Sequence, residues 1–101
     1  MDQNPIYLNW NRAADIFEDS KTTFYRLVKE IEEQIRLGRY SKGAVIHDKK
    51  TLVSFYVYVD YKDKRRYLQD RLAAKKVEPF NVNDYTGCTP RYSVIGYLER
   101  R

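Results

Sequence analysis

The chemistry this sequence offers lies in side chains with helical spacing. Lys21, Thr22, Tyr25, Arg26 and Lys29 fall on one side of a stretch whose other side is Phe24, Leu27, Val28 and Ile31. Thr23, in the same first turn, joins the candidate set. Ammonium and guanidinium groups hold phosphate by charge, while guanidinium, hydroxyl and phenol groups hydrogen-bond to base edges. That is recognition chemistry, with no bond made or broken. Bond-making groups are sparse. His47 is a lone imidazole with no serine or cysteine nucleophile and supporting carboxylate near it in sequence. One His and one Cys, Cys88, do not make a zinc site of the usual type. Glu30, Glu32 and Glu33, flanked by Lys29 and Arg36, read as a solvated helix face rather than as catalytic carboxylates, with Glu32 and Arg36 as an i, i+4 pair. The four glycines, at 38, 43, 87 and 96, are too scattered to cradle a phosphate. The sequence reads as a non-enzyme with no cofactor, no metal and no small-molecule substrate.

The elements that must position this set follow from periodicity. Ala13, Ala14, Ile16 and Phe17 give a first helix an apolar side, with Asn9 as its N-cap and Trp10 folded over that side. Met1 to Tyr7 is a polar arm. After Glu18-Asp19, Ser20 caps a second helix that keeps its period to Leu37, with Leu27, Val28, Ile31, Ile35 and Leu37 inward, and stops at Gly38. Arg39 to Gly43 is a loop. Ala44-Val45-Ile46 and Thr51-Leu52-Val53 are two short strands about a His47-Asp48-Lys49-Lys50 turn. Such a hairpin brings Lys49 and Lys50 to its tip, against DNA backbone or minor groove, or else simply covers the core. Taken without further comparison, residues 8–28 fit either a DNA-reading pair of helices or a plain helical hairpin with a solvated charged face.

The run from Leu8 to Val28 resembles the helix-turn-helix of the excisionase family, small winged-helix DNA-binding proteins of phages and mobile elements. Leu8, Asn9, Ala13, Ala14, Ile16, Ser20, Thr23, Phe24, Tyr25, Arg26 and Leu27 fall in its register without a gap. Glu18-Asp19 stands where that family usually has Gly and an apolar residue, so the turn is made without a glycine or the first helix runs longer. Leu52 to Phe80 also resembles a segment of excisionase-like prophage proteins. An aromatic-rich run leads there into Asp60-Tyr61, a basic helix over Lys62 to Lys76, then Val77, Pro79 and Phe80.

Ser54 to Asp60 carries a conflict. Alternating Val and Tyr favour a strand. A Ser54 cap and one face of Val53, Val57, Tyr61, Leu68 and Leu72 favour a helix over 54–76, and the helix is the expectation here. Its outer side, Lys62, Arg65, Arg66, Lys75 and Lys76, is basic, and Asp63 and Asp70 make part of it a charge-laced surface. The expected fold is mainly α with a small β-hairpin wing, a winged helix-turn-helix with a long C-terminal helix after the wing. It occupies residues 1–80, with 81–101 as a C-terminal extension.

Charge supports the placement of the site. The net charge is +5. Residues 1–19 hold one basic and four acidic groups, a net of −3, and residues 20–50 hold eight and four, a net of +4. The positive charge therefore begins at the second helix, as for a face that meets phosphate. Ten tyrosines suit half-buried seams and interfaces. A single cysteine, no basic-then-apolar leader, and a longest apolar run of only Leu52 to Val59 point to a cytoplasmic protein without a membrane span. The resemblance implies double-stranded DNA as partner, an integrase or other recombinase beside it, and homo-oligomers on DNA. A phage or plasmid transcriptional regulator of the same fold is the neighbouring reading. A small module that binds a recombinase or replication protein through its tyrosines is the reading from another class.

Overall fold

The computed structural model describes residues 7–81. They form a mostly helical body with a small antiparallel sheet: β1 (Tyr7–Leu8), α1 (Trp10–Phe17), α2 (Lys21–Arg36), β2 (Val45–His47), β3 (Thr51–Ser54), α3 (Phe55–Leu68) and α4 (Arg71–Ala74). A 3-10 turn over Lys42–Ala44 leads into β2. No helix among the described residues is long and apolar enough to cross a membrane.

Caps fix the first two helices. The Asn9 side chain accepts from Arg12 N, and the Ser20 side chain accepts from Thr23 N, so each satisfies an otherwise orphaned first-turn amide. The turn between the helices is made without a glycine: α1 ends at Phe17, and Glu18 itself takes the left-handed conformation, φ 60°. Gly38, φ 95°, closes α2 as expected, its amide bonding Ile35 O and the next amide bonding Gln34 O.

The sheet has the order β1-β3-β2. Tyr7 is therefore not part of a free arm, because it pairs with Ser54 while Leu8 pairs with Val53. β2 pairs with β3 from Val45 opposite Val53 to His47 opposite Thr51. The expected two-stranded hairpin thus becomes the larger part of a three-stranded sheet.

Residues 55–60 are helical despite their strand-like alternation. β2 begins at Val45, opposite Val53, so a β3 continued past Ser54 would find no partner on the β2 edge. In a helix these residues pair internally, and Phe55, Val57, Tyr58, Val59, Asp60 and Tyr61 are all buried. The helix expected here from the spacing of Val53, Val57 and Tyr61 therefore forms, though the buried surface of its start is wider than that one stripe. Ser54 precedes it without a side-chain cap bond.

Three expectations fail at helix ends. The helix over 54–76 is broken: α3 stops at Leu68, and Asp70 re-caps a short α4 through bonds from Leu72 N and Ala73 N. Leu72 is 75% exposed and does not join the core. Leu37 is 61% exposed, because α2 ends at Arg36 and the chain turns away at Gly38. The core gathers Leu8, Ala13, Phe17, Phe24, Leu27, Val28, Ile31, Val53 and the buried part of α3. Phe17 and Tyr58 meet at 5.0 Å between ring centroids, which sets α3 directly against the α1–α2 corner. The division at residue 80 and the fate of 81–101 lie, but for Asn81, outside the described residues.

Candidate nucleic-acid interface

α2 carries the candidate residues into solvent. Lys21, Thr22, Arg26 and Lys29 are exposed or half-exposed and Tyr25 is half-buried. Together these five line a shallow depression of about 500 Å3. Phe24, Leu27, Val28 and Ile31 on the opposite side are buried, so core packing fixes which face points outward. Tyr25 packs edge-on against Phe24, 5.2 Å between centroids, which orients its phenol.

A second depression, of about 220 Å3, lies against the β2–β3 turn. Lys49, Lys50 and Thr51 line one side of it, Trp10 and Asn11 the start of α1, and Tyr25 belongs to both depressions. The exposed face of α2, the start of α1 and the hairpin tip are therefore one continuous surface. The Lys21 ammonium sits 4.9 Å from the Trp10 ring centroid, a cation–π contact within that surface. Trp10, Asn11 and Thr51 were not in the sequence-derived set. Their signal, an aromatic and an amide just after a helix cap, is ordinary until the hairpin is folded beside them.

Thr23 stands apart. Its backbone amide bonds Ser20 Oγ at 3.1 Å, and its hydroxyl oxygen accepts from Ser20 Oγ at 2.9 Å. It serves the cap of α2 more than the outward face.

Asp19 and Glu30 are drawn to the other side, while Asp48 lies with Lys49 and Lys50 on the second depression. Asp19, in the turn, accepts from the Tyr58 hydroxyl at 2.7 Å and from Lys62 Nζ at 2.8 Å. Glu30 accepts from the Tyr61 hydroxyl at 2.8 Å and from Arg65 at 2.7 and 3.0 Å. The Arg65 guanidinium holds the Glu30 carboxyl below its ordinary value; burial opposes this and the Tyr61 hydroxyl adds to it. Burial first, and the neighbouring carboxylates second, push the Tyr58 and Tyr61 phenols well up. Glu30 is thus not part of a solvated face, and Lys62 and Arg65 are not an outward basic side. Each carboxylate takes one tyrosine and the cation four residues later, two i, i+4 pairs staggered by about one turn of α3. The expected Glu32–Arg36 pair is also replaced. Arg36 bonds Glu33, and Glu32 Oε2 lies 2.7 Å from His47 Nε2, tying α2 to β2.

The consequence is a sorting of cations. Among the described residues, salt bridges engage Arg36, Arg39, Lys62, Lys64 and Arg65, together with His47. None of these bridges engages Lys21, Arg26, Lys29, Lys49 or Lys50. Compared with known proteins, the chain matches no family model, no curated protein and no solved structure. What this face can bind follows from its own geometry: cations outside any salt bridge among the described residues, a phenol and hydroxyls on one helix face beside a basic hairpin tip.

Proposed function

We propose that the protein is a sequence-specific DNA-binding protein of winged-helix type, with α2 as recognition helix and the β2–β3 hairpin as wing. The observation that carries this reading is the surface shared through Tyr25, whose Lys and Arg side chains are in no salt bridge among the described residues. A single α-helix fits the major groove, and Lys and Arg left free beside it suit phosphates. Thr22, Tyr25 and Arg26 are the residues for base edges. Lys21, Lys29, Lys49 and Lys50 are those for the backbone.

Within that class we favour an excisionase-like role, a directionality factor that bends DNA to direct an integrase, on the strength of the residue pattern from Leu8 to Leu27. Such a role needs occupancy and bending of DNA and no active site. A transcriptional regulator of the same fold uses the same surface, and the gene beside this one separates the two: an integrase gene supports excision, a divergent promoter supports regulation. We place the protein in the cytoplasm with its DNA.

Mobility shifts at physiological salt on duplexes tiling the parent element test the binding. We expect at least about tenfold preference for a few fragments. Arg26→Ala should remove about 1–3 kcal/mol of that discrimination if it holds a guanine edge, with the fold intact by circular dichroism. Uniform binding along every fragment, or none, sinks the reading.

A further inference from the structure

His47 closes the β2–β3 hairpin directly opposite Thr51, at the base of the turn that carries Lys49 and Lys50. Its ring reaches two other elements. Nε2 lies 2.7 Å from Glu32 Oε2 on α2, and Nδ1 makes a longer contact, 3.4 Å, with the Thr51 hydroxyl on β3. A carboxylate only accepts, so Nε2 donates to Glu32. Packing does not hold this end of the hairpin. Ile46, His47, Asp48, Lys49 and Lys50 are all exposed, and Lys49 and Lys50 face Trp10 across an open depression. Among the described residues, the bond from His47 to Glu32 is the one side-chain hydrogen bond that joins residues 46–51 to a helix.

The place of Glu32 on α2 matters. Tyr25, Lys29 and Glu32 stand at i, i+4 and i+7, one stripe of the helix. The hairpin is therefore pinned to the stripe that carries recognition residues, about one turn beyond Lys29. We propose that His47 is a positioning residue for DNA binding. Pinned to Glu32, it holds the Lys49–Lys50 tip at one distance from α2, so that tip and helix meet the same duplex at once. This role rests on the DNA-binding function proposed above and adds what sets the spacing of its two parts. The His47 and Glu32 side chains are 57% and 40% exposed, and an exposed pair of this kind adds little to stability. Its effect lies in reach: a tip free to swing presents its two cations to the phosphates at a lower effective concentration. Charge alone predicts the opposite. Glu32 is an anion on the phosphate-facing stripe, so its removal would on that ground strengthen duplex binding.

Salt titrations of duplex binding by the full chain test this. Glu32→Ala and His47→Ala should each weaken binding at least about fivefold and flatten the salt slope toward that of Lys49→Ala with Lys50→Ala, with circular dichroism unchanged. His47→Gln, whose side-chain amide donates at about the reach of Nε2, should restore most of the affinity. In the Lys49→Ala, Lys50→Ala background, His47→Ala should change affinity by no more than about twofold, because the tip it holds no longer carries those cations. If Glu32→Ala strengthens binding, or His47→Ala leaves it unchanged, the role of His47 is overturned and the DNA-binding function stands. A loss from His47→Ala as large without the two lysines as with them overturns that role as well, since His47 would then act elsewhere. A natural chain that binds no duplex sinks both.

Discussion

Asp60 is 2% exposed and holds the Arg39 guanidinium and the Tyr40 hydroxyl. A buried carboxylate is tolerable only beside such partners. Arg39→Met leaves it without that cation and should cost about 3–5 kcal/mol, read from urea unfolding. Glu30 makes the pH prediction. Its folded-state value lies below the ordinary 4.5, so the stability it adds is complete above that pH and is lost as the pH falls through the lowered value. Denaturant titrations from about pH 6 down to about pH 3 should show stability falling, and Glu30→Gln should flatten that part of the profile. A Glu30→Gln profile as steep as that of the natural chain would mean that other carboxylates carry the acid sensitivity.

At the scale of elements, the corner between α1 and α2 is held by a residue poorly suited to it. Glu18 sits at φ 60°, a conformation that costs an L-residue about 1–2 kcal/mol and glycine nothing. Glu18→Gly should therefore stabilise the fold by about 0.5–1 kcal/mol, after the added freedom of the unfolded chain is subtracted. Gly38→Ala, at φ 95°, should destabilise by a similar amount. Both are read from denaturation midpoints, and a Glu18→Gly protein less stable than its parent would show that the Glu18 side chain contributes something that its backbone strain conceals. α3 is the second decisive element. Its Tyr58–Lys62 and Tyr61–Arg65 pairs grip Asp19 before α2 and Glu30 within it, which fixes how far the outward face of α2 stands from the body.

For the molecule as a whole, what matters is where unpaired charge is left. A net of +5 would suit many soluble proteins. Here the fold neutralises Lys62 and Arg65 internally and leaves Lys21, Arg26, Lys29, Lys49 and Lys50 around one surface. If all of these meet phosphate, the logarithm of affinity should fall against the logarithm of salt with a slope of about −4 to −5. Lys49→Ala with Lys50→Ala should weaken every duplex alike and flatten that slope by about 2. A slope near zero would mean that the surface meets an uncharged partner.

The sequence by itself determined the local parts. Asn9, Ser20 and Gly38 mark helix ends because caps and left-handed stops depend on one residue and its near neighbours. The spacing of Phe24, Leu27, Val28 and Ile31 fixed the inner face of α2, and with it the outward set of Lys21, Thr22, Tyr25, Arg26 and Lys29. The turn residues between β2 and β3 placed Lys49 and Lys50 at a hairpin tip. Tertiary structure decided what depends on distant partners. Tyr7 and Leu8 became a strand only because β3 had an open edge. Phe55 to Val59 became helix because β2 offers β3 no partner beyond Val53 and the α1–α2 corner buries the helix instead. Lys62 and Arg65, basic in any reading of the sequence, are neutralised by Asp19 and Glu30, 43 and 35 residues earlier. Charge is local to a residue, but whether it remains available depends on what the fold brings within hydrogen-bonding distance.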